Sequence, residues 1–256
     1  MCRVSFDVGA DAYGRFMGRY SEPLAAKFVA LADVRAGQRA LDVGCGTGAL
    51  TSELVQRLGP DSVSAVDPSA SFVEVVRARF PGVGTQPAAA ERLPFPADAF
   101  DCALAQLVVH FMADPVAGLS EMARVTRPAG SVAACVWDHA GGAGPLAVFW
   151  RAVRDLDPAA HDESALPGVR EGHLAELFTA AGLREIESSA LTVRVGFASF
   201  DEWWEPFTLG VGPAGAYVAR LDPSHRTELR ARCAALLPQE TPFDIVASAW
   251  TARGRA

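Results

Sequence analysis

The 256-residue chain is half hydrophobic and 21% charged, a composition that excludes a disordered protein. Its formal net charge of −7 disfavours a nucleic acid as substrate or partner, because a phosphate-binding surface needs clustered basic residues. The first residues lack the apolar segment of a signal peptide, and nowhere do about 18 apolar residues follow one another. We therefore expect a globular cytoplasmic protein without a membrane partner.

The cysteines disfavour two kinds of structural site. They are odd in number, widely spread and without any Cys-x-x-Cys pair: Cys2, Cys45, Cys102, Cys135 and Cys233. This pattern supports neither a disulfide framework nor a zinc site. We expect no bound metal ion.

The first predicted helix follows Ser21, a residue type that favours helix N-termini, and Pro23 suits the first turn. Leu24, Phe28 and Leu31 then recur at helical spacing. The preceding segment is rich in tyrosine and arginine. It leads from the start of the chain into this helix.

That strand, residues 40–43, contains Asp42 and is followed by three alternating glycines, Gly44, Gly46 and Gly48. Glycine lacks the Cβ atom that would keep a ligand off the backbone, and the free N–H groups of the next helix favour polar or anionic ligand groups. The spacing also satisfies a relaxed dinucleotide fingerprint. The turn therefore predicts a small-molecule site without naming the molecule.

Asp42 separates the ligand classes. Its carboxylate would repel the pyrophosphate of a dinucleotide and attract an ammonium group. S-adenosyl-L-methionine carries an α-amino group and a sulfonium, and no phosphate. Residues 42–48, Asp-Val-Gly-Cys-Gly-Thr-Gly, resemble the first motif of class I S-adenosylmethionine-dependent methyltransferases, D/E-x-G-x-G-x-G. The resemblance implies an α/β fold with a doubly wound, seven-stranded, mostly parallel Rossmann-like sheet, helices on both faces and an inserted helical cap.

The resemblance also implies S-adenosyl-L-methionine as the cofactor. In many members of this family a Tyr-rich, Arg-containing lead-in folds over the methionine end of the cofactor. The contacts implied in the lead-in and the glycine turn are Tyr13, Arg19, Tyr20, Asp42, Gly44, Cys45, Gly46, Thr47 and Gly48. For the lead-in residues the alternative is that they only pack the first helix onto the sheet.

The second predicted strand closes on Asp67, followed by Pro68 and Ser69. In a doubly wound sheet this strand lies beside the first, so its terminal acid reaches the ligand's ribose. We include all three residues in the predicted cofactor site. The alternative is an Asp-Pro turn acid that caps the next helix. An NADP-type site would more often have an arginine nearby, and no arginine occurs between Asp67 and Arg77.

Residues 88–95, AAAERLPF, resemble the family's loop against the adenine ring. The chain departs from the family at Ala89, where an aspartate usually accepts a hydrogen bond from the adenine amino group. This departure either weakens adenine binding or shifts the contact to backbone groups of Ala90 and Glu91. Recognition of adenine by a side chain at this loop is left open.

Residues 100–111 read as a buried parallel strand that carries Gln106, Leu107 and His110 near its carboxyl end. Ligands of such folds bind outside the carboxyl ends of the strands, so Gln106 and Leu107 are predicted cofactor contacts. His110 is the best candidate to face the substrate, as general base, orienting donor or merely a core histidine. His139, after a fifth strand at residues 131–137, is the second candidate base.

We divide the chain into a helical lead-in over the cofactor site (1–36), a cofactor-binding core (37–138), a helical cap (139–170), a return to the core (171–199), a lid insertion (200–241) and a final core strand (242–256). Trp203, Trp204 and Phe207 beside a Gly/Pro-rich segment favour a lid over a substrate pocket. A core-filling aromatic cluster and a homodimer surface are the alternatives.

Together these features predict methyl transfer to a small, partly apolar acceptor, on oxygen, nitrogen or carbon. Catalysis would rest on aligning the acceptor with the methyl–sulfur bond, with His110 or His139 as a base where a proton must leave. One alternative is a non-catalytic S-adenosylmethionine-binding protein or partner subunit, which Ala89 slightly favours. An NAD-dependent oxidoreductase is disfavoured by Asp42.

Overall fold

The computed structural model describes Ala12 and residues 14–256. Seven strands form one sheet: β1 (Ala40–Val43), β2 (Val63–Asp67), β3 (Gly84–Pro87), β4 (Phe100–Gln106), β5 (Thr126–Trp137), β6 (Arg184–Phe197) and β7 (Phe243–Arg255). Their order is β3-β2-β1-β4-β5-β7-β6. Strand β7 runs antiparallel to β5 and β6, and the other pairs are parallel. The predicted seven-stranded, mostly parallel Rossmann-like sheet is confirmed.

Helices cover both faces of this sheet. They are α1 (Arg19–Leu31), α2 (Ala49–Leu58), α3 (Ala70–Arg79), α4 (Pro115–Val125), α5 (Ala147–Leu156), α6 (His173–Ala180), α7 (Phe200–Trp204), α8 (Gly212–Arg220) and α9 (Pro223–Leu236). A π-helical turn, Gly14–Gly18, leads into α1. Within the described part of the chain, no helix has both the length and the apolar character that a membrane span requires.

Two apolar cores lie on opposite faces of the sheet. One contains Phe28 of α1, Leu54 of α2 and Phe149 of α5, and the other contains Met122 of α4 and Phe178 of α6. Every residue of β1 is buried, because alternate side chains enter one core or the other. The strand order reverses at β1, whose neighbours are β2 and β4, and this reversal is where doubly wound sheets bind ligands.

The fourth strand is shorter than predicted. It ends at Gln106, and the next residue, Leu107, has a left-handed backbone with φ +61°. The Leu107 N–H donates to the carbonyl of Cys135 at 2.8 Å, and the chain then turns through a short 3₁₀ helix, Val109–Phe111. The apolar run could not show this turn, because Val109 and His110 of the 3₁₀ helix are buried like most residues of the strand.

The alternation of apolar residues at 191–195 predicts a strand, and residues 243–250 read as the final strand; the observed strands β6 and β7 are both longer. They pair with each other from Phe197↔Phe243 back to Arg184↔Arg255. Strand β6 is at the sheet edge, and most of its first half is exposed. Its polar residues therefore lack the apolar alternation on which the sequence prediction rested, and hydrogen bonding to β7 defines the strand instead.

Candidate cofactor and acceptor site

The glycine turn after β1 is shaped by close packing on two sides and by open space in the middle. Gly44 has φ +74°, and a Cβ atom there would collide with the Val108 side chain. Gly48 has φ +90°, and its Cβ would lie 2.8 Å from Phe80 Cε2. By contrast, nothing lies within 4 Å of a Cβ built at Gly46. The outer glycines are required by packing, and the middle one borders free space.

That space is a cleft of about 330 Å³, partly open to solvent, at the carboxyl ends of β1 and β4. Seven predicted cofactor contacts line it: Asp42, Gly44, Cys45, Gly46, Thr47, Gln106 and Leu107. Ser21, Ala49 and Leu50 also line it, and sequence reasoning did not predict them as site residues. The structure thus brings residues from α1, β1, α2 and the end of β4 around one small-molecule cleft.

Asp42 is 1% exposed and supplies an unsatisfied acceptor to the cleft wall. Its Oδ2 accepts a hydrogen bond from the Thr51 hydroxyl at 2.6 Å, whereas Oδ1 is buried with no partner in the described structure. Burial raises the pKa of this carboxyl to about 7, although the Thr51 hydrogen bond opposes the shift. An ammonium group would satisfy the orphaned oxygen, so Asp42 fits the methionine end of S-adenosylmethionine.

Asp67 accepts backbone hydrogen bonds in the turn after β2, which agrees with the alternative that it caps the next helix, and its contact with a ribose stays a prediction. Its Oδ2 accepts from the Gly46 N–H at 2.9 Å, and its Oδ1 accepts from the Ser69 N–H at 2.8 Å. The carboxylate therefore fixes the glycine turn and the start of α3, next to exposed Pro68. An ionised carboxylate has about four acceptor positions, so two remain for ribose hydroxyls. Burial raises its pKa, and the two backbone donors oppose that shift.

Gln106 joins the end of β4 to α1. Its Nε2 donates to the Ser21 carbonyl at 2.9 Å, and its Oε1 is buried without a partner among the described residues. Two orphaned oxygens, one on Asp42 and one on Gln106, thus belong to side chains of the same cleft. Both can accept hydrogen bonds from an ammonium group.

A second, largely apolar pocket of about 470 Å³ adjoins the cleft. Leu107 lines both cavities. The other lining residues are Phe16, Met17, His110, Phe111, Trp137, His139, Leu146, Glu163, Val211, Gly212, Pro213 and Ala214. The pocket is therefore formed by the lead-in, the turn after β4, the end of β5 and the start of α8.

Both predicted bases line this second pocket. The ring centroids of His110 and His139 are 6.0 Å apart, and His110 is 5% exposed with its Nδ1 buried and unpaired in the described structure. Burial lowers the pKa of both imidazoles, well below the usual value for His110. For His139, Glu163, Asp138 and Asp162 oppose the shift. Both rings are therefore neutral at pH 7 and can accept a proton.

The comparisons with known proteins agree with this geometry. The model of a methyltransferase domain family matches residues 41–134, which run from β1 into β5 and include the cleft residues from Asp42 to Leu107. Residues 41–134 therefore match a methyltransferase domain, as the resemblance to the class I S-adenosylmethionine-dependent family predicts.

Relatives of the methyltransferase domain are found in sequence and in structure. An uncharacterized methyltransferase of Mycobacterium tuberculosis is 38% identical over 53% of this chain and 52% of its own length. A ubiquinone/menaquinone biosynthesis C-methyltransferase of Cupriavidus metallidurans is 38% identical over 41% of this chain and 45% of its own. The chain thus spans about half the length of the curated relatives it matches.

Among solved structures, a phosphoethanolamine N-methyltransferase of Haemonchus contortus, in complex with phosphomonomethylethanolamine and S-adenosylhomocysteine, has a similar fold. Its TM-score is 0.58 at 17% identity, with 96% of this chain and 56% of that one covered. At this identity the likeness concerns the fold, and it extends beyond the methyltransferase domain to nearly the whole chain.

Arg19 and Tyr20, the predicted cofactor contacts of the lead-in, make contacts within the protein. Arg19 donates to Glu202 Oε1 at 2.6 Å and stacks over Phe197, 4.3 Å from the ring centroid. Tyr20 is 3% exposed and packs edge-on against Trp137, with the two ring centroids 6.4 Å apart. Neither side chain lines the cleft. Their placement agrees with the packing alternative, and Tyr13 lies outside the described residues.

The predicted adenine loop also makes contacts within the protein. Glu91 Oε1 accepts from the N–H groups of Ala113 at 2.7 Å and Asp114 at 3.2 Å, at the start of α4. Ala90 is buried in the second core, and Ala89 is exposed. None of the three predicted residues lines the cleft.

Glu163 is a site residue that sequence reasoning missed. It is 5% exposed, lines the apolar pocket, and its Oε2 accepts from the Trp150 indole N–H at 2.9 Å. It lies in an irregular segment between α5 and α6. Without helical or strand periodicity there, the sequence gives no signal that this carboxylate is buried.

Proposed function

We propose that the protein transfers a methyl group from S-adenosylmethionine to a small, partly apolar acceptor bound in the pocket beside the cleft. The observation that carries this proposal is the shared wall at Leu107, which makes the two cavities neighbours. A cofactor held at the glycine turn and an acceptor held among the aromatic residues would meet there. Positioning of two reactants is the main catalytic requirement of such a transfer.

When bound, S-adenosylmethionine supplies an electrophilic methyl carbon on its sulfonium. The residues of the chain hold and orient the reactants: Asp42 and Gln106 accept from the ammonium group, and Asp67 accepts from the ribose. The apolar walls of the second pocket exclude water from the acceptor. His110 and His139, being neutral, can take a proton from an acceptor hydroxyl or ammonium group.

We further propose that the insertion between β6 and β7 acts as the lid of this pocket. Val211, Gly212, Pro213 and Ala214 of the insertion form part of the pocket wall. The large aromatic residues of the same insertion are buried in the core. There Phe207 stacks on Phe149, with the two ring centroids 4.6 Å apart. The lid proposal therefore rests on the start of α8 and not on the aromatic cluster.

The test is a methyl-transfer assay with labelled S-adenosylmethionine and a panel of amines, phenols and activated carbon acids. Formation of S-adenosylhomocysteine and of methylated product is measured by mass spectrometry. For an acceptor that must lose a proton, we expect His110→Ala or His139→Ala to lower turnover by about 10² or more. Turnover that survives both substitutions would exclude the proposed bases.

A non-catalytic S-adenosylmethionine-binding protein is the second candidate, because Ala89 supplies no carboxylate to the adenine loop and is exposed. A non-catalytic protein would bind S-adenosylhomocysteine in a titration. In the methyl-transfer assay it would methylate no member of the panel. Methylated product above the background of a heat-denatured sample would exclude this candidate.

A further inference from the structure

We infer that the acceptor is an amine with an apolar body, bound through its ammonium group by Glu163. The inference rests on the proposed function in one respect, which is that the occupant of the apolar pocket is taken to be the methyl acceptor. The preference for an amine follows from the charge and the walls of the pocket itself.

Glu163 is a buried acid without a cationic partner. Its described hydrogen bond comes from a neutral donor, the Trp150 indole. Arg154 lines a smaller cavity of about 260 Å³ together with Glu163, but forms its ion pair with Asp162. No cationic side chain in the described part of the chain lies within ion-pair distance of Glu163. A carboxylate removed from water in this way is stabilised by a ligand that brings a positive charge.

The remaining charges around the pocket leave Glu163 unneutralised. The two histidines in the pocket wall are held neutral by burial, which lowers the pKa of each. The nearby Asp138 carboxylate accepts from the Gly141 N–H at 2.7 Å, and Asp162 is paired with Arg154. An anionic ligand would be repelled by Glu163, and a neutral alcohol would leave its charge unpaired.

The walls suit the rest of an amine ligand. Phe16, Phe111 and Trp137 line the pocket, and aromatic rings attract cations through their negative faces. Met17, Leu107 and Leu146 complete an apolar lining for the body of the ligand. One buried carboxylate within an aromatic and aliphatic wall is the combination that selects an alkylammonium group over neutral and anionic groups of the same size.

The experiment compares matched amines and alcohols: benzylamine with benzyl alcohol, 2-phenylethylamine with 2-phenylethanol, and tryptamine with tryptophol. Each compound is titrated calorimetrically at pH 7 into the full chain saturated with S-adenosylhomocysteine. In the wild type, at least one amine should bind about tenfold or more tightly than its alcohol, as expected for a hydrogen bond to a charged group. In Glu163→Gln this preference should disappear.

Glu163→Gln keeps the side-chain volume and an oxygen that can accept from Trp150, so the fold is preserved. Glu176→Gln, which changes an exposed acid paired with Arg170, is the matched control and should keep the amine preference. Equal binding within every wild-type pair, no amine binding at all, or a preference that persists in Glu163→Gln would overturn the inference.

Failure of the proposed function is seen separately, as absence of S-adenosylhomocysteine binding when that compound is titrated alone or as absence of methylated product in the methyl-transfer assay. The amine and alcohol titrations are then repeated on the chain without S-adenosylhomocysteine. The two ideas can therefore fail independently.

Discussion

Asp42 makes cofactor binding dependent on pH. Its pKa of about 7 means that the carboxyl group of the free protein is mostly protonated at pH 6 and mostly ionised at pH 8. Only the ionised form pairs with an ammonium group. We predict that the affinity for S-adenosylhomocysteine rises by about tenfold from pH 6 to pH 8, in proportion to the ionised fraction. Calorimetric titration across this range measures the change.

The same group affects stability in the opposite direction. The folded pKa of Asp42 lies above its ordinary value of 3.8, so the folded state holds this proton more tightly than the unfolded state. Its stabilising contribution is complete below about pH 4 and is lost as pH rises through about 7. Asp42→Asn should remove this component from the pH dependence of unfolding. An unchanged dependence, or an affinity that is flat from pH 6 to pH 8 in the wild type, would contradict this account of Asp42.

Several site residues could be predicted because their positions follow from a contiguous motif. Asp42 and the glycines form a contiguous motif that can be recognised wherever it occurs in a sequence. Gln106 is predicted because it lies near the carboxyl end of a strand. Ser21 contributes a carbonyl oxygen that binds Gln106, and this depends on where α1 docks. The burial of Glu163 depends on packing against Trp150. Neither of these contacts has a sequence signature.

The glycine turn is the element on which the site depends, and its packing can be tested directly. Alanine at Gly44 would combine a left-handed backbone with a collision against Val108, next to Leu107. Gly37 has a similar φ of +86° and open space around it, so Gly37→Ala is strained without a collision. We predict that Gly44→Ala abolishes measurable binding of S-adenosylhomocysteine, whereas Gly37→Ala costs about 1 kcal/mol of stability and leaves binding intact.

Calorimetry and urea unfolding of both variants check this prediction. Wild-type affinity in Gly44→Ala would show that the turn tolerates a side chain and that the site lies elsewhere.

Elements were predictable where burial imposed a pattern. Strands β1, β2 and β4 are almost wholly buried, so they appear as apolar runs. The exposed first half of β6 and the turn after Gln106 are fixed by hydrogen bonds to neighbouring strands, which leave no periodic pattern. The same limit applies to the lead-in, where tyrosine and arginine serve packing as readily as ligand contact.

Across the whole molecule, the lead-in is joined to the insertion between β6 and β7. Arg19 binds Glu202 and stacks on Phe197, and the exposed Arg15 binds Glu205 at 2.7 Å. We predict that Arg19→Gln lowers the free energy of unfolding by about 1 kcal/mol, because it loses an ion pair and a cation–π contact. Arg15→Gln should cost less, since an exposed ion pair contributes about 0–1 kcal/mol.

Both variants should bind S-adenosylhomocysteine within about twofold of the wild type, because neither side chain lines the cleft. Urea unfolding and calorimetry give the two quantities. A loss of affinity of about tenfold or more in Arg19→Gln would restore Arg19 as a cofactor contact.

The central claim, that the cleft at the glycine turn binds S-adenosylmethionine, is tested most directly by calorimetric titration with S-adenosylmethionine, S-adenosylhomocysteine and NAD. The wild type, Asp67→Ala and the exposed control Asp61→Ala are compared. We predict that the two adenosyl compounds bind and NAD does not, and that Asp67→Ala alone weakens binding by about tenfold or more, since it removes a charged hydrogen-bond acceptor. Binding of NAD without binding of the adenosyl compounds would contradict the claim.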